Sequence, residues 1–187
     1  MERKKKIYHV TAFAKIIVSL FCVILIFSFS ACAKQNVLYV VLVNSDYLSD
    51  DKVEDLLKEK NLSPVDTKLY GQNFKVAFVC QELVHGKKIK EQLKKEKVSV
   101  YVKKVIVSKE VFEFTESILK AKTPHELYIL VNKARLAAEN GEEFYKLLKS
   151  SIGNFLFDFN NGDFYDAKMT FVGEIGAVIV KNLSKSQ

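Results

Sequence analysis

Cysteine, histidine and lysine are the residue types in this chain that could do chemistry, and their spacing decides what kind. Cys80 follows the apolar run Val76-Ala77-Phe78-Val79, a setting that predicts a buried structural thiol rather than a nucleophile. His85 and His125 stand forty residues apart, and no Cys/His or His/carboxylate spacing suits zinc. Asp158-Phe159-Asn160-Asn161-Gly162-Asp163 has the acidic look of a calcium loop. An EF-hand places glycine sixth and a bidentate glutamate twelfth, whereas here Gly162 is fifth and Met169 twelfth. The segment reads instead as a hairpin turn on Asn161-Gly162. A Gly-rich phosphate loop and a nucleophile elbow are both missing. The sequence therefore predicts no catalytic residue, no cofactor and no metal site.

The basic run Lys87, Lys88, Lys90, Lys94, Lys95 and Lys97 is the other candidate. Nucleic-acid binding would want aromatic stacking platforms within it, but Glu91 and Glu96 interleave instead. The run reads as a solvated helix face, with contact to membrane headgroups as the alternative and no nucleic-acid partner.

One cysteine has a different setting. Arg3, Lys4, Lys5 and Lys6 open the chain, and the 18 residues from Ile16 to Ala33 carry no charge. A basic head, an apolar core and small residues form the layout of a secretory leader, although a spanning helix of ~17–25 residues has similar length. Phe29-Ser30-Ala31-Cys32 resembles the bacterial lipobox, with Phe29 standing where that motif usually has Leu, Val or Ile. The resemblance implies a diacylglyceryl group on the Cys32 thiol, cleavage before Cys32 and acylation of the new amine. An uncleaved anchor and conventional secretion are the other two readings. The expected organisation is a leader at residues 1–31, a tether at 32–36 and a domain at 37–187. The localisation that follows is the bacterial cell envelope, on the extracytoplasmic side, with membrane lipid as a partner through acylated Cys32.

Processing changes the arithmetic. The 187 residues carry a formal +7, but residues 1–31 hold five basic residues and one acidic residue of the 29 and 22 present, so the remainder carries +3. Cys22 would leave with the leader, and Cys80 would be the one thiol remaining, so no internal disulfide is expected. With 49% hydrophobic residues, two prolines and seven glycines, the chain is neither disordered nor collagen-like.

The elements that must position these groups follow from periodicity. Val37–Val43 is a strand-length apolar run; Asp50 and Asp51 open a helix with Val53, Leu56 and Leu57 on one face, and Asn61 stops it. Phe74–Val79 reads as a strand or as the start of a helix. Ile89 and Leu93 form the buried stripe of the lysine-rich segment. Val98–Val107 reads as a strand with a slip at Lys103-Lys104 that suggests a β-bulge or a strand end. Helices then begin after Ser108 and at Thr123-Pro124-His125-Glu126, a capping box, the second stopping at Asn140-Gly141. A short helix spans Glu142 to Ser151. Phe155, Phe157 and Phe159 alternate with Leu156 and Asp158, and Tyr165, Ala167, Met169 and Phe171 alternate on the return after Asn161-Gly162, which predicts a C-terminal antiparallel hairpin. Ile175–Val180 adds a last strand. The expected fold class is α+β: a single domain with strands at both ends and three to five helices between.

Two stretches, Gln81–Val100 and the ordered set Tyr101–Lys109, Asn140–Phe144, Asn161–Asp163 and Gly176–Lys181, are similar to parts of the extracytoplasmic foldases of SurA and PrsA type. The resemblance implies a parvulin relative. The two parvulin strand histidines are replaced near Lys104 and at Ala177, so polypeptide holding rather than proline isomerisation is what it implies. The functional expectation is a membrane-anchored extracytoplasmic lipoprotein acting as a non-enzymatic protein-binding or assembly factor. A degenerate foldase holding unfolded polypeptides is the alternative. Its partners would be envelope proteins or unfolded chains.

Overall fold

A computed structural model describes residues 35–44, 49–96, 98–158 and 164–183. Over these residues the elements run β1 (Val37–Asn44), α1 (Asp50–Glu59), β2 (Val65–Leu69), β3 (Gln72–Cys80), α2 (Leu83–Lys94) and β4 (Ser99–Ile106). They continue as α3 (Lys109–Lys120), α4 (Pro124–Glu139), α5 (Glu143–Leu147), α6 (Lys149–Asp158) and α7 (Phe164–Leu183). The four strands form one antiparallel sheet in the order β2-β3-β1-β4.

β1 is central, and both of its faces are covered, which is why its sequence is apolar at nearly every position. Leu38, Val40 and Leu42 face one side with Val76, Val79 and Val105, under a cover built from α3 to α7. Val41 and Val43 face the other with Ala77 and Val100, under Val53 and Leu57 of α1 and Leu93 of α2. The result is a sheet between two unequal helical layers. β3 carries one extra residue against β1: Val41 stands opposite Phe78 and Leu42 opposite Val76. Ala77 is thus bulged, and its carbonyl accepts the Ser63 N–H at 2.9 Å.

Local signals account for the helix ends. Thr123 and Glu126 make the reciprocal capping box of α4, and the two backbone N–H groups of Lys122 and Thr123 hold the Glu126 carboxyl below the usual carboxylate range. Asn61 (φ 54°) after α1 and Gly141 (φ 98°) after α4 take the left-handed conformation that ends a Schellman motif. Lys168 of α7 donates to the carbonyls of Leu119 and Ala121 at 2.8 and 2.6 Å, satisfying the end of α3 from another helix.

α7 lies directly on the sheet because two of its residues lack side chains. A Cβ at Gly176 would stand 2.7 Å from Val76 Cγ1 and Val79 Cγ2, and one at Gly173 would be 2.8 Å from Ser63 Cβ and Val65 Cγ2.

The expected C-terminal hairpin does not form. Phe155 lies in α6, and Tyr165, Ala167, Met169 and Phe171 all lie in α7, as does the expected last strand Ile175–Val180. Phe159 and the Asn161-Gly162 turn fall outside the described residues. Strands therefore sit in the N-terminal part, not at both ends, and seven helices among the described residues exceed the expected three to five. The physical reason is burial on two sides. Val172, Ile175 and Ile179 meet the sheet while Phe171 meets Phe155 and Phe114 of the helical layer. A helix apolar around most of its circumference loses its 3.6-residue stripe and satisfies a period of two equally well. The slip at Lys103-Lys104 is not a bulge either, since β4 pairs with β1 without a register shift from Ser99 to Ile106. Sequence reading also passed over β2. Its pattern Val-Asp-Thr-Lys-Leu is half exposed, and its turn is Tyr70-Gly71, both at positive φ.

Candidate functional site

A cleft of about 780 Å³ opens between the β2–β3 hairpin and the helices α5, α6 and α7. Its apolar lining comes from Phe74, Leu147, Ala177 and Val178. Phe74 is held edge-on against Tyr101 of β4, with ring centroids 5.7 Å apart. The positions follow from the fold: Phe74 and Thr67 are cross-strand partners, and Glu174, Ala177, Val178 and Lys181 recur at helical spacing along α7.

The polar lining is organised into pairs. The buried Ser151 hydroxyl donates to Glu174 Oε2 at 3.1 Å, joining α6 to α7 across 23 residues of sequence. Lys75, only 5% exposed, places Nζ 2.8 Å from Asp66 Oδ1 on the neighbouring strand. Lys68 and Lys181 add cationic groups to the lining. The Ser151 hydroxyl is bonded directly to a carboxylate, and no imidazole is among the residues lining the cleft. What the arrangement offers is a mixed apolar and polar trough whose volume is ordinary for a binding cleft. β2 stands beside it as an edge strand, with one side of its backbone not paired within the sheet.

Of the residues singled out from the sequence, Ala177 lines the cleft and the cysteines, histidines and lysine run lie elsewhere. Cys32 and the Asn161-Gly162 segment are outside the described residues. His85 and His125 are exposed in the first turns of α2 and α4, and neither lines the cleft. His85 has one carboxylate near it, Glu82 at 3.8 Å. Among the described residues no group of three or more His, Cys, Asp or Glu is placed to hold a metal ion. Nor is any helix among them long and apolar enough to cross a membrane. Lys87, Lys88, Lys90 and Lys94 of the lysine run lie on α2, Lys95 follows it and Lys97 is outside the described residues; Lys94 pairs with Glu91 at 3.0 Å, and Lys60, just after α1, reaches Glu96 at 3.0 Å.

Cys80 is buried between the sheet and α2, its Sγ 3.3 Å from the Glu82 carbonyl. Gly86 makes this packing possible, since a Cβ there would lie 3.1 Å from Val102 Cγ1 and 3.4 Å from the Cys80 sulfur. Burial pushes the thiol up from its ordinary 9.0 to about 11. The folded state then keeps a proton that the unfolded thiol begins to lose near pH 9, so stability falls as pH rises from about 9 and levels off beyond 11. The full difference amounts to roughly 3 kcal/mol. Urea titrations at pH 8 and pH 10.5 should show a smaller loss in Cys80→Ser than in the unsubstituted protein; equal losses would refute a buried thiol.

A second cluster joins α3 to α5. Hydrogen bonding to Glu110 raises the Glu142 carboxyl above the usual range, and burial together with Glu110 raises the Tyr145 phenol. Both carboxylates are solvent-exposed, so the pair is a surface contact, and Tyr145 packs edge-on against Phe114 with ring centroids 5.2 Å apart.

No spacing in the sequence marked the cleft residues as parts of one site. Ser151 and Glu174 meet only because α6 and α7 pack, and Phe74 joins them only through sheet register. No protein-family model, curated protein or solved structure matches the chain.

Proposed function

We propose that the chain is an extracytoplasmic lipoprotein, anchored through acylated Cys32, that binds an extended polypeptide segment in the cleft beside β2. It acts by contact, not by catalysis. The observation that carries the binding half is the cleft itself: an apolar floor at Phe74 and a wall at Ala177 and Val178, with charged groups along it, next to an edge strand. An extended chain can place alternate side chains in such a trough while its backbone pairs with the edge. The anchoring half rests on the likeness of Phe29-Ser30-Ala31-Cys32 to a lipobox.

A photo-crosslinking side chain in place of Asn73, which lines the cleft and is exposed, tests the binding half in cells. One defined envelope protein should be captured, and Ala177→Trp, which fills the cleft, should lower the yield at least fivefold while the folded domain is retained. An unchanged yield in Ala177→Trp would overturn the reading. Suppression of the aggregation of a denatured client, lost in the same variant, would mark the bound segment as unfolded polypeptide.

A further inference from the structure

The end of the sheet at which the described chain begins carries an exposed apolar and basic patch. β1 starts at Val37, opposite Ile106 of β4, and the Val107 N–H donates to the Asn36 carbonyl at 2.9 Å. Tyr39, two residues further on, pairs with Lys104 on one side and Cys80 on the other. α2 begins three residues after Cys80, so its first turn stands at this same end. Gly86 seats it against Val41 and Val102. Val37, Tyr39, Lys104 and Ile106 therefore share the sheet face that α2 covers further along. Val84 is 71% exposed, Ile106 60% and Leu83 38%, high values for branched apolar side chains. Lys87 and Lys88 stand one helical turn after Val84, and Lys104 stands two residues before Ile106 on the same face; all three are exposed and make no ion pair among the described residues. The carboxylates at this end include Glu82, beside His85, Glu143 of α5, which lines a shallow pocket together with Ile106, and the paired Glu110 and Glu142 of α3 and the loop before α5.

We infer that this patch docks on an anionic lipid surface. The inference rests on the anchoring reading. Asn36 is four residue steps from Cys32, and a fully extended chain spans at most about 3.5 Å per residue, so the acylated cysteine holds Asn36 within about 14 Å of the bilayer. A tether that short leaves the Asn36 end of the sheet as the membrane-facing end. β1, eight residues long, places its other end about 26 Å further away. Val84, Leu83 and Ile106 then meet the headgroup and acyl boundary, as interfacial apolar groups do. Lys87, Lys88 and Lys104 meet the negative surface potential, which favours each near-surface lysine. The Tyr70-Gly71 turn of the β2–β3 hairpin stands at the opposite end of the sheet and faces outward.

The chain contains no tryptophan, so single reporters are clean. Val84→Trp, Ile106→Trp and Tyr70→Trp are made in the full-length protein, purified from membranes, checked for acylation by mass and reconstituted into vesicles. The vesicles hold phosphatidylcholine with or without one third phosphatidylglycerol, and the quencher is brominated lipid. With phosphatidylglycerol, tryptophan emission at 84 and 106 should fall at least twofold, and emission at 70 should not change. The quenching should weaken in pure phosphatidylcholine, in high salt, and when Lys87, Lys88 and Lys104 are replaced by glutamate. Acylated protein that floats with vesicles but shows no quenching at 84 and 106 would overturn the docking and leave the anchor standing. Protein that is not acylated and does not float would overturn both. Shielding of both reporters from acrylamide without quenching by brominated lipid would assign the patch to a protein partner, a second copy included, and overturn the proposal.

Discussion

Gly173→Ala is expected to destabilise the domain by about 3 kcal/mol, at the upper end of what overpacking a tight interior costs. In an exposed helix interior the same exchange would stabilise by up to about 1 kcal/mol, because alanine restricts the unfolded chain. Here the new methyl would collide with Ser63 Oγ and sit 2.8 Å from Ser63 Cβ and Val65 Cγ2. The hydroxyl can rotate away, but the Cβ cannot. Ser63 is fully buried, and its N–H is fixed to the bulged Ala77 carbonyl at 2.9 Å, so α7 must lift from the sheet instead. Gly153 of α6 supplies the control, since a Cβ there meets nothing within 4 Å. Urea unfolding should place the midpoint of Gly173→Ala 1 M or more below that of the parent at an ordinary m-value of ~1–3 kcal/mol/M, and that of Gly153→Ala at or above the parent. Ser63→Gly added to Gly173→Ala should recover part of the loss. Equal midpoints for the two alanine variants would mean that α7 does not pack on the sheet through Gly173.

Cys32→Ser is expected to abolish acylation and leave the leader attached. On the lipoprotein reading we propose, the thiol is the group that would accept the diacylglyceryl chain, and a serine hydroxyl is a far weaker nucleophile near neutral pH. In the unsubstituted protein, mass spectrometry should find a chain beginning at Cys32 and heavier than its sequence by two or three acyl chains. At ~0.8 kcal/mol for each buried CH₂, two chains suffice to hold it stably on a bilayer. In Cys32→Ser the chain should keep residues 1–31 and gain no acyl mass. An identical processed, unmodified chain from both would defeat the lipoprotein reading and favour ordinary secretion. An intact, unmodified chain from both would favour the uncleaved anchor.

Elements with one buried face were legible in the sequence. α1 carries Val53 and Leu57 inward and charge outward, and α3 repeats Val111, Phe114 and Ile118 in step. α4 announces itself by its capping box and its closing glycine. β1 was legible for a different reason, as a short continuous apolar run that only a central strand needs. Two kinds of element escaped. β2 is an edge strand of alternating exposure whose identity depends on β3 being there to pair with it. α6 and α7 failed in the opposite way: Phe155, Phe171, Val172 and Ile175 are buried against more than one neighbour, so their spacing carried no single period.

The sequence by itself settles what is covalent or local: the charge that resides in the first 31 residues, the cysteine inventory, the helix caps and the strand at Val37–Val43. Only the tertiary structure decides that the C-terminal third is helical, because β-branched residues such as Val172, Ile175 and Val180 prefer strands locally and are overruled by the burial that α7 gains on the sheet. It alone also brings Phe74, Ser151 and Glu174 to one cleft, and Ile106 to the end of the sheet where β1 begins. Proximity across 20 to 100 residues of chain is set by register and helix packing, which leave no mark on the spacing of the residues they bring together.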